Sequence, residues 1–252
     1  MPILRRVFGR RQPAQLPEGM RVYAIGDVHG RADLLAATER RIAADLKRYP
    51  PAGEANVILL GDYVDRGPSS RRVLRRLSTG IIAGLPTRCL MGNHEQAMLR
   101  FLDDPLNAAD WLDYGGRATL GSYGIDAGEP GDDDPPERLM ALAAAAAAAI
   151  PPAQLAFLHG LELSIELGSF LFVHAGIRPG VPLARQQRRD LLFIREPFLS
   201  TTRRLSHRVV HGHTVSDEVE VLPHRVGIDT GAYRTDRLSA VMIEGANVAV
   251  LP

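Results

Sequence analysis

The stretch GDYVDRG, residues 61–67, directly follows a short aliphatic run at residues 57–60. An uninterrupted apolar run of this length, bounded by turn residues, is typical of a β-strand that is covered on both faces. A simple turn after such a strand needs its glycines and one aspartate at most. This turn carries Asp62, Asp65 and Arg66 between its glycines, so we expect it to supply side chains to a functional site.

The same order of strand, polar turn and helix occurs on both sides of this stretch. The sequence predicts a strand at Arg21–Ile25, a helix at 31–48, a second helix at 69–77 and a strand at 87–91. Strands that alternate with helices predict an α/β sheet. In such a sheet, ligands collect at the carboxyl ends of the strands, where these polar turns lie.

The rest of the chain has two further parts. Residues 96–158 have helical patterning, broken by a polar stretch at 128–137, and form a predicted helical insertion. After residue 152 the chain becomes rich in short strands, which predict a second sheet packed on the first. We therefore predict a single domain over residues 19–252, preceded by an arginine-rich arm at 1–18 that we expect to be disordered.

Charge and composition exclude several classes of protein. The formal net charge is +1 and no apolar run approaches the length of a membrane span, so we expect neither a nucleic-acid partner nor a transmembrane segment. Cys89 is the only cysteine, which excludes an internal disulfide and suits a reducing compartment. We therefore predict a cytoplasmic location. The sequence leaves the oligomeric state open.

Four other segments follow the pattern of residues 61–67, in which a predicted strand is followed by glycine and by side chains that can bind metal ions. They are Gly26-Asp27-Val28-His29-Gly30, Gly92-Asn93-His94-Glu95, His174-Ala175-Gly176 and His211-Gly212-His213-Thr214. Each segment alone has a simpler explanation, since aspartate and asparagine cap helices and a histidine can pack in a core. The five together predict one site at the carboxyl edge of the sheet.

The donor atoms in these segments indicate which ions would bind. Carboxylate and amide oxygens stand beside imidazole nitrogens without a thiolate, a mixture that suits Mn²⁺, Fe or Zn²⁺ better than Mg²⁺ or Ca²⁺. Six such side chains exceed what one ion with an open position needs, so we predict two divalent ions, with Mn²⁺ as the first choice. The six are Asp27, His29, Asp62, Asn93, His174 and His213.

The motifs GDVHGR, GDYVDRG, GNHE, HAG and HGHT, which span residues 26–214, resemble the signature blocks of the phosphoprotein phosphatase family of binuclear metallophosphoesterases. The bacterial and phage branch of that family looks most similar, and the likeness continues into residues 226–232. The resemblance implies an α/β fold, a four-layer α/β/β/α sandwich of two mixed sheets. It also implies a hydrolase in which a metal-bridging hydroxide attacks phosphorus directly.

The resemblance further implies a role for each motif residue. Asp27 and His29 match ligands of a first metal ion, Asp62 matches a ligand that bridges both ions, and Asn93, His174 and His213 match ligands of the second.

The same resemblance assigns the residues that act on the substrate. His94 matches the family's general acid, Asp65 matches the partner of that acid, and Arg66 matches a phosphate-binding arginine. A second arginine is expected between the last two histidine blocks, and we nominate Arg195 for it. Its rivals nearby are Arg185, Arg188 and Arg189.

The resemblance leaves three functions open. The first removes phosphate from Ser or Thr side chains of proteins, with Tyr as a further candidate, and the Gly115-Gly116 block favours it by its likeness to bacterial Ser/Thr phosphatases. The second hydrolyses a dinucleoside polyphosphate such as diadenosine tetraphosphate, or another small phosphoester. The third, a metal-binding protein without turnover, is the weakest because every nominated ligand and His94 are present.

Overall fold

The computed structural model describes residues 13–129, 134–203 and 205–252. Strands and helices follow along these residues in this order: β1 (Arg21–Ile25), α1 (Ala32–Arg48), β2 (Ala55–Leu59), α2 (Ser70–Leu77), β3 (Ile81–Ile82), β4 (Leu85–Cys89), α3 (Asn93–Asp103), α4 (Arg117–Ser122), α5 (Pro136–Ala149), α6 (Pro152–His159), β5 (Ser164–Leu167), β6 (Phe170–Val173), α7 (Arg188–Phe193), β7 (Arg208–His211), β8 (Glu220–Val221), β9 (Arg225–Gly227), α8 (Ala232–Thr235), β10 (Ala240–Glu244) and β11 (Asn247–Val250). A π-helical turn, Leu112–Gly116, leads directly into α4.

The first sheet has the strand order β11-β10-β1-β2-β4-β3. β1, β2 and β4 are parallel, whereas β10 runs antiparallel to β1, and β3 antiparallel to β4. The register pairs Ile25 of β1 with Leu59 of β2, and Leu59 with Cys89 of β4, so these three strands end at the same level. The turns that follow them therefore begin side by side at one edge of the sheet.

The second sheet has the order β5-β6-β7-β9-β8. Its three central strands, β6, β7 and β9, are parallel, and the outer strands β5 and β8 are antiparallel to their neighbours. Phe172 of β6 pairs with Val210 of β7. The histidine turns after β6 and β7 thus leave this sheet next to each other.

The two sheets pack face to face around a shared hydrophobic core. Ala24 of β1 and Ile58 of β2 meet Phe172 of β6 and Val210 of β7, and all four side chains are fully buried. The outer face of the first sheet packs against α1, α2 and the helical insertion, and the outer face of the second packs against α7. The predicted α/β/β/α order of layers is therefore confirmed.

The helical insertion consists of α3 from residue 96 onward and of the helices α4 to α6, and it covers the first sheet. Alanine is the best helix former, and its small side chain permits close packing, so the alanine tract allows α5 to lie against α3. Buried positions of α5 recur at helical spacing, at Leu139, Leu142 and Ala146. Within the described residues no single helix is long and apolar enough to span a membrane. The helices α5 and α6, which are bent by 103° relative to each other, would together have the length and apolar composition of a span.

Two strands lie elsewhere than the sequence indicated. The short strands after residue 152 were expected to build the second sheet, but β10 and β11 return to the first sheet, where β10 pairs with β1. An alternating apolar strand carries no information about which sheet it joins, because both sheets offer an apolar inner face. The second sheet is correspondingly smaller than expected.

The predicted basic arm at 1–18 is described only from residue 13 onward, so its disorder stays a prediction for residues 1–12. Leu16 is buried and its amide donates to the carbonyl of Gly245 at 3.0 Å. The carbonyl of Gln15 accepts from the amide of Ser169 at 2.9 Å. Gln15 and Leu16 therefore pack on the domain and are not part of a free arm.

Candidate metal centre

The backbone is strained where the predicted ligands lie. A positive φ is uncommon outside glycine and costs on the order of 1–3 kcal/mol for each residue, and such positions cluster at functional sites. Only seven non-glycine residues among those described have positive φ, and five of them are residues that the sequence assigned to the site. The five are His29, Asp62, Asp65, Arg66 and His213, with φ between 42° and 73°.

Asp62 lies at the centre of two groups of possible metal ligands. Its carboxylate belongs both to a group with His29 and His94 and to a group with His174 and His213, and within each group the ligand atoms lie within 4.8 Å of one another. Oδ2 of Asp62 is 3.6 Å from Nε2 of His29, and Oδ1 is 3.5 Å from Nε2 of His174. One carboxylate oxygen thus faces each group, as a bridging ligand requires.

Backbone carbonyls orient the histidines. Nδ1 of His29 lies 2.9 Å from the carbonyl oxygen of Val64, and Nδ1 of His174 lies 2.9 Å from that of Leu60. A proton held on Nδ1 leaves Nε2 as the atom that can bind a metal ion. In the structure Nε2 of His29 lies 2.9 Å from Nη1 of Arg66, a hydrogen bond that a metal ion bound to His29 would replace. Burial also lowers the pKa of His29 and of His213 to about 3, so both rings are neutral at physiological pH.

Asp27 has an oxygen that fits a cation. Its Oδ2 accepts a hydrogen bond from the amide of His213 at 2.9 Å, while its buried Oδ1 has no partner among the described residues. A Cβ at Gly212 would lie 2.0 Å from Oδ1, so only glycine leaves room there. Burial and the carboxylates of Asp229 and Asp62 raise the pKa of Asp27, and a bound cation reverses such a shift.

Asn93 is the first residue of α3, and its side chain turns to His174. Its Oδ1 lies 3.0 Å from Nε2 of His174. When the proton of that ring is on Nδ1, the two atoms are both acceptors. Two acceptors at this distance are explained by a cation that both could bind. The N-cap of α3 is Gly92, so Asn93 does not cap this helix. Its role as a metal ligand stays a prediction.

His94 is held between a carboxylate and a guanidinium. Nδ1 of His94 lies 2.6 Å from Oδ2 of Asp65, and Nη2 of Arg66 lies 3.0 Å from Nε2 of His94. Burial disfavours the charged form of the His94 ring and lowers its pKa, but the negative charges of Asp62 and Asp65 have the larger combined effect, so the pKa of His94 is raised. The guanidinium of Arg66 in turn packs over the ring of Tyr233, 4.7 Å from its centroid.

These side chains surround one cavity of about 810 Å³. Eight of the ten residues nominated from sequence line it: Asp27, His29, Asp62, Arg66, Asn93, His94, Arg195 and His213. His174 and Asp65 are fully buried directly behind this lining. Among the described residues, the rival arginines at 185, 188 and 189 do not line the cavity, whereas Arg195 does.

The calcineurin-like phosphoesterase family model matches residues 20–217, which contain all ten nominated residues. The chain belongs to the calcineurin-like phosphoesterase family. Members of this family are phosphoesterases, and the match extends from the start of β1 to the turn after β7.

Two curated relatives are similar to the chain over different lengths. The symmetrical bis(5'-nucleosyl)-tetraphosphatase of Paracidovorax citrulli is 42% identical over 80 residues, which cover 32% of this chain and 25% of that protein. The chain thus matches about a quarter of the length of the relatives that align with highest identity. The asymmetrical bis(5'-nucleosyl)-tetraphosphatase PrpE of Oceanobacillus iheyensis is 21% identical over 238 residues, 88% of each chain.

Two solved structures share the calcineurin-like phosphoesterase fold over nearly the whole chain. A putative diadenosine tetraphosphatase superposes with a TM-score of 0.64 and 21% identity, covering 93% of this chain and 94% of its own. A point mutant of a cold-active protein tyrosine phosphatase has a TM-score of 0.57 and 16% identity, covering 94% of this chain and 83% of its own. At these identities the two likenesses show the fold, which serves more than one kind of substrate.

Several residues of the site were missed in the sequence. Glu95 belongs to the GNHE motif, but the sequence predicted no role for it. Its buried carboxylate accepts hydrogen bonds at 2.7–3.2 Å from four amides, those of Asp62, Tyr63, Val64 and Gly92. Its place three residues after Gly92, as in a capping box, was the available signal. Residues that lie far along the chain gave no such signal. They are Arg100, Thr119, Phe193, Tyr233 and Arg234.

We expect Mn²⁺ to bind with two ions per chain and to raise the melting temperature, measured by calorimetry on chelator-treated protein with and without added metal. An ion that binds only the folded state stabilises it by about 4 kcal/mol at a thousand times its Kd. Ca²⁺, which prefers oxygen ligands alone, is the control and should raise the melting temperature much less. Equal shifts with both ions, or no shift with Mn²⁺, would contradict a mixed oxygen and nitrogen site.

Proposed function

We propose that the chain hydrolyses a dinucleoside polyphosphate, two nucleosides joined by a chain of phosphates, with the help of two divalent metal ions. The observation that carries this proposal is the composition of the cavity around the candidate metal centre. Besides Arg66 it exposes three arginines, Arg100, Arg195 and Arg234, and three aromatic rings, Tyr114, Phe193 and Tyr233. The volume of about 810 Å³ suits a ligand of nucleotide size or larger.

Charge and stacking both favour a nucleotide over a single phosphorylated side chain. A polyphosphate chain carries several negative charges, and guanidinium groups bind its oxygens bidentately. Tyr114 is 63% exposed and Phe193 is 46% exposed, so both rings are available to a base. Stacking of a base on an aromatic ring contributes about 1–3 kcal/mol. A phosphoserine would use neither the outer arginines nor these rings.

The relatives support the same substrate class. Both curated relatives described above are named as bis(5'-nucleosyl)-tetraphosphatases, one symmetrical and one asymmetrical. The preference for a protein Ser/Thr phosphatase, which rested on the Gly115-Gly116 block, is weaker. In the folded chain these two glycines pack against Arg66 and Trp111, and this close packing explains why both are glycines.

The residues present fit two metal ions. Asp27 and His29 would hold one ion, Asn93, His174 and His213 the other, and Asp62 both. Bound divalent ions neutralise phosphate charge and bring the pKa of bound water to about 7.

The remaining residues of the site act on the substrate. Arg66 and Arg195 bind oxygens of the phosphoryl group under attack, and the ring of Tyr233 supports the guanidinium of Arg66. His94 donates a proton to the leaving-group oxygen from Nε2, which lies at the cavity while its Nδ1 is held by Asp65. Nη2 of Arg66 lies 3.0 Å from that Nε2, and Nε2 can carry the proton once Arg66 turns to the phosphoryl oxygens. Protonation of a leaving group by a positioned acid typically increases the rate about 10²–10⁴-fold.

A comparison of substrates on Mn²⁺-loaded protein tests this proposal, with a chelator control. We expect kcat/KM for diadenosine tetraphosphate to exceed that for phosphoserine, phosphothreonine and phosphotyrosine peptides by at least about tenfold, which corresponds to one stacked base. The nucleotide products show which phosphoanhydride bond is cleaved. A preference for any of the peptides would overturn the dinucleotide assignment and restore the protein phosphatase.

Variants of the cavity wall sharpen the comparison. Phe193→Ala and Tyr114→Ala should raise KM for the dinucleotide and leave turnover of an alkyl phosphate unchanged, because that substrate has no aromatic ring to stack. An equal effect on both substrates would remove these rings from a base-binding role.

A further inference from the structure

One segment of the helical insertion, residues 111–119, contacts a buried carboxylate of the site, that of Asp65. Nε1 of Trp111 donates to Oδ2 of Asp65 at 2.9 Å, and the hydroxyl of Thr119 donates to Oδ1 at 2.6 Å. The same hydroxyl accepts a hydrogen bond from the amide of Asp65 at 2.8 Å. Asp65, Trp111 and Thr119 are all fully buried, so these bonds are shielded from water.

The backbone of the insertion also lies against this turn. The carbonyl of Gly115 accepts from the amide of Arg66 at 3.3 Å. Gly115 has φ of 116°, and a Cβ there would lie 2.7 Å from the amide nitrogen of Arg66, so the contact requires glycine. A Cβ at Gly116 would lie 2.5 Å from the ring of Trp111. The π-helical turn thus fits between the Trp111 ring and the turn that carries Asp65 and Arg66, and single π-turns of this kind are frequent at functional sites.

The bonds fix the orientation of a carboxylate that itself fixes His94. Oδ2 of Asp65 accepts hydrogen bonds both from Nδ1 of His94, at 2.6 Å, and from Nε1 of Trp111, at 2.9 Å. With Thr119 on Oδ1, the plane of the carboxylate is set from both ends. A buried carboxylate needs such partners, because an unpaired charge is costly in the interior. Two of its three side-chain donors come from the insertion.

We propose that the insertion segment 111–119 positions the leaving-group acid: Trp111 and Thr119 hold Asp65, which holds the His94 imidazole with Nε2 towards the cavity. Trp111 and Thr119 are positioning residues, since neither lines the cavity. The inference rests on the role of His94 proposed above. It makes the insertion part of the catalytic apparatus, in addition to any contact that it makes with substrate.

Trp111→Phe removes one donor to Asp65 and keeps an aromatic ring in the core. We expect kcat on an alkyl phosphate to fall about tenfold or more, because a hydrogen bond to a charged group is lost, while kcat on 4-nitrophenyl phosphate changes less than about threefold. Tyr123→Phe is the matched control: it removes one buried hydrogen bond of the insertion, to Gln154 at 2.5 Å, without touching Asp65. It should lower both rates equally or not at all.

Two further measurements separate this inference from the proposed function. Thr119→Val should behave like Trp111→Phe, and Thr119→Ser, which keeps the hydroxyl, should restore the wild-type ratio of the two rates. The Nδ1 proton of His94, assigned by its absence in His94→Asn, should give a downfield proton resonance in zinc-loaded protein. The His94 signal should broaden or disappear in Trp111→Phe and persist in Tyr123→Phe. This measurement requires no substrate.

Each outcome has one meaning. An inactive wild-type protein with the expected His94 signals would overturn the proposed function and leave the positioning role standing. Equal loss on both substrates, with an unchanged His94 signal in Trp111→Phe and Thr119→Val, would overturn the positioning role.

Discussion

Asp62→Asn is expected to reduce kcat by at least about 10³-fold and to lower the bound metal from two ions per chain to one or none. Loss of a single hydrogen-bond donor at a developing charge already costs about 10²–10³ in kcat, and this change removes a full charge between two cations. An amide offers one oxygen, whereas each oxygen of Asp62 faces a different group of ligands. Metal content by mass spectrometry and turnover of the preferred substrate measure the two effects.

Asp45→Asn is the matched control for this change. Asp45 accepts a hydrogen bond from the hydroxyl of Tyr23 at 2.6 Å and pairs with Arg21 at 3.7 Å, at the opposite end of β1 from the site. Its replacement should cost stability and leave metal content and kcat unchanged. A folded Asp62→Asn protein with two bound ions and full turnover is the result that rejects Asp62 as the shared ligand.

His94→Asn is expected to affect poor leaving groups far more than good ones. An alkoxide must receive a proton as it leaves, so kcat on an alkyl phosphate should fall about 10²–10⁴-fold. The 4-nitrophenolate ion leaves without that proton, so kcat on 4-nitrophenyl phosphate should fall less than about tenfold. The nucleotide released from a dinucleoside polyphosphate is a better leaving group than an alkoxide, and the loss on that substrate should lie between the two.

His207→Asn is the control for this variant, since it makes the same chemical change in the loop before β7, where His207 pairs with Glu166 at 3.3 Å. It should leave all three rates unchanged. Equal losses on the alkyl and aryl substrates would mean that His94 contributes to phosphate binding and not to proton donation.

The sequence predicted the parts of the site in which the chemistry is local. Strand, glycine and ligand follow within a few residues in GDYVDRG, so the apolar run predicted β2 and the polar residues after it predicted the position of Asp62. The same holds for β1 with Asp27 and for β6 with His174. The first sheet brings the turns after β1 and β2 together. The turn after β6 belongs to the second sheet and reaches them because the two sheets pack face to face.

The contacts that were missed are those between distant segments. Trp111 lies 46 residues from Asp65 in sequence, and a tryptophan in a helical pattern is explained equally well as core. Arg234 lies in a short helix, α8, which no hydrophobic periodicity in the sequence predicted. The strands β10 and β11 belong to the first sheet, although their apolar pattern fitted either sheet. The local sequence pattern predicts which ligand follows each strand. The residues that surround and orient that ligand come from distant segments, and their positions depend on tertiary packing.

The four amides held by Glu95 have a consequence for how metal ions enter and leave. Because Glu95 holds the amides of Asp62, Tyr63, Val64 and Gly92, the backbone of the central turn is shaped by the protein's own carboxylate. A preorganised site loses little conformational entropy when its ligand binds. We therefore expect ion exchange at this site to require no refolding, so that the free concentrations of divalent ions in the cell and their intrinsic affinities for the donors govern which of them bind.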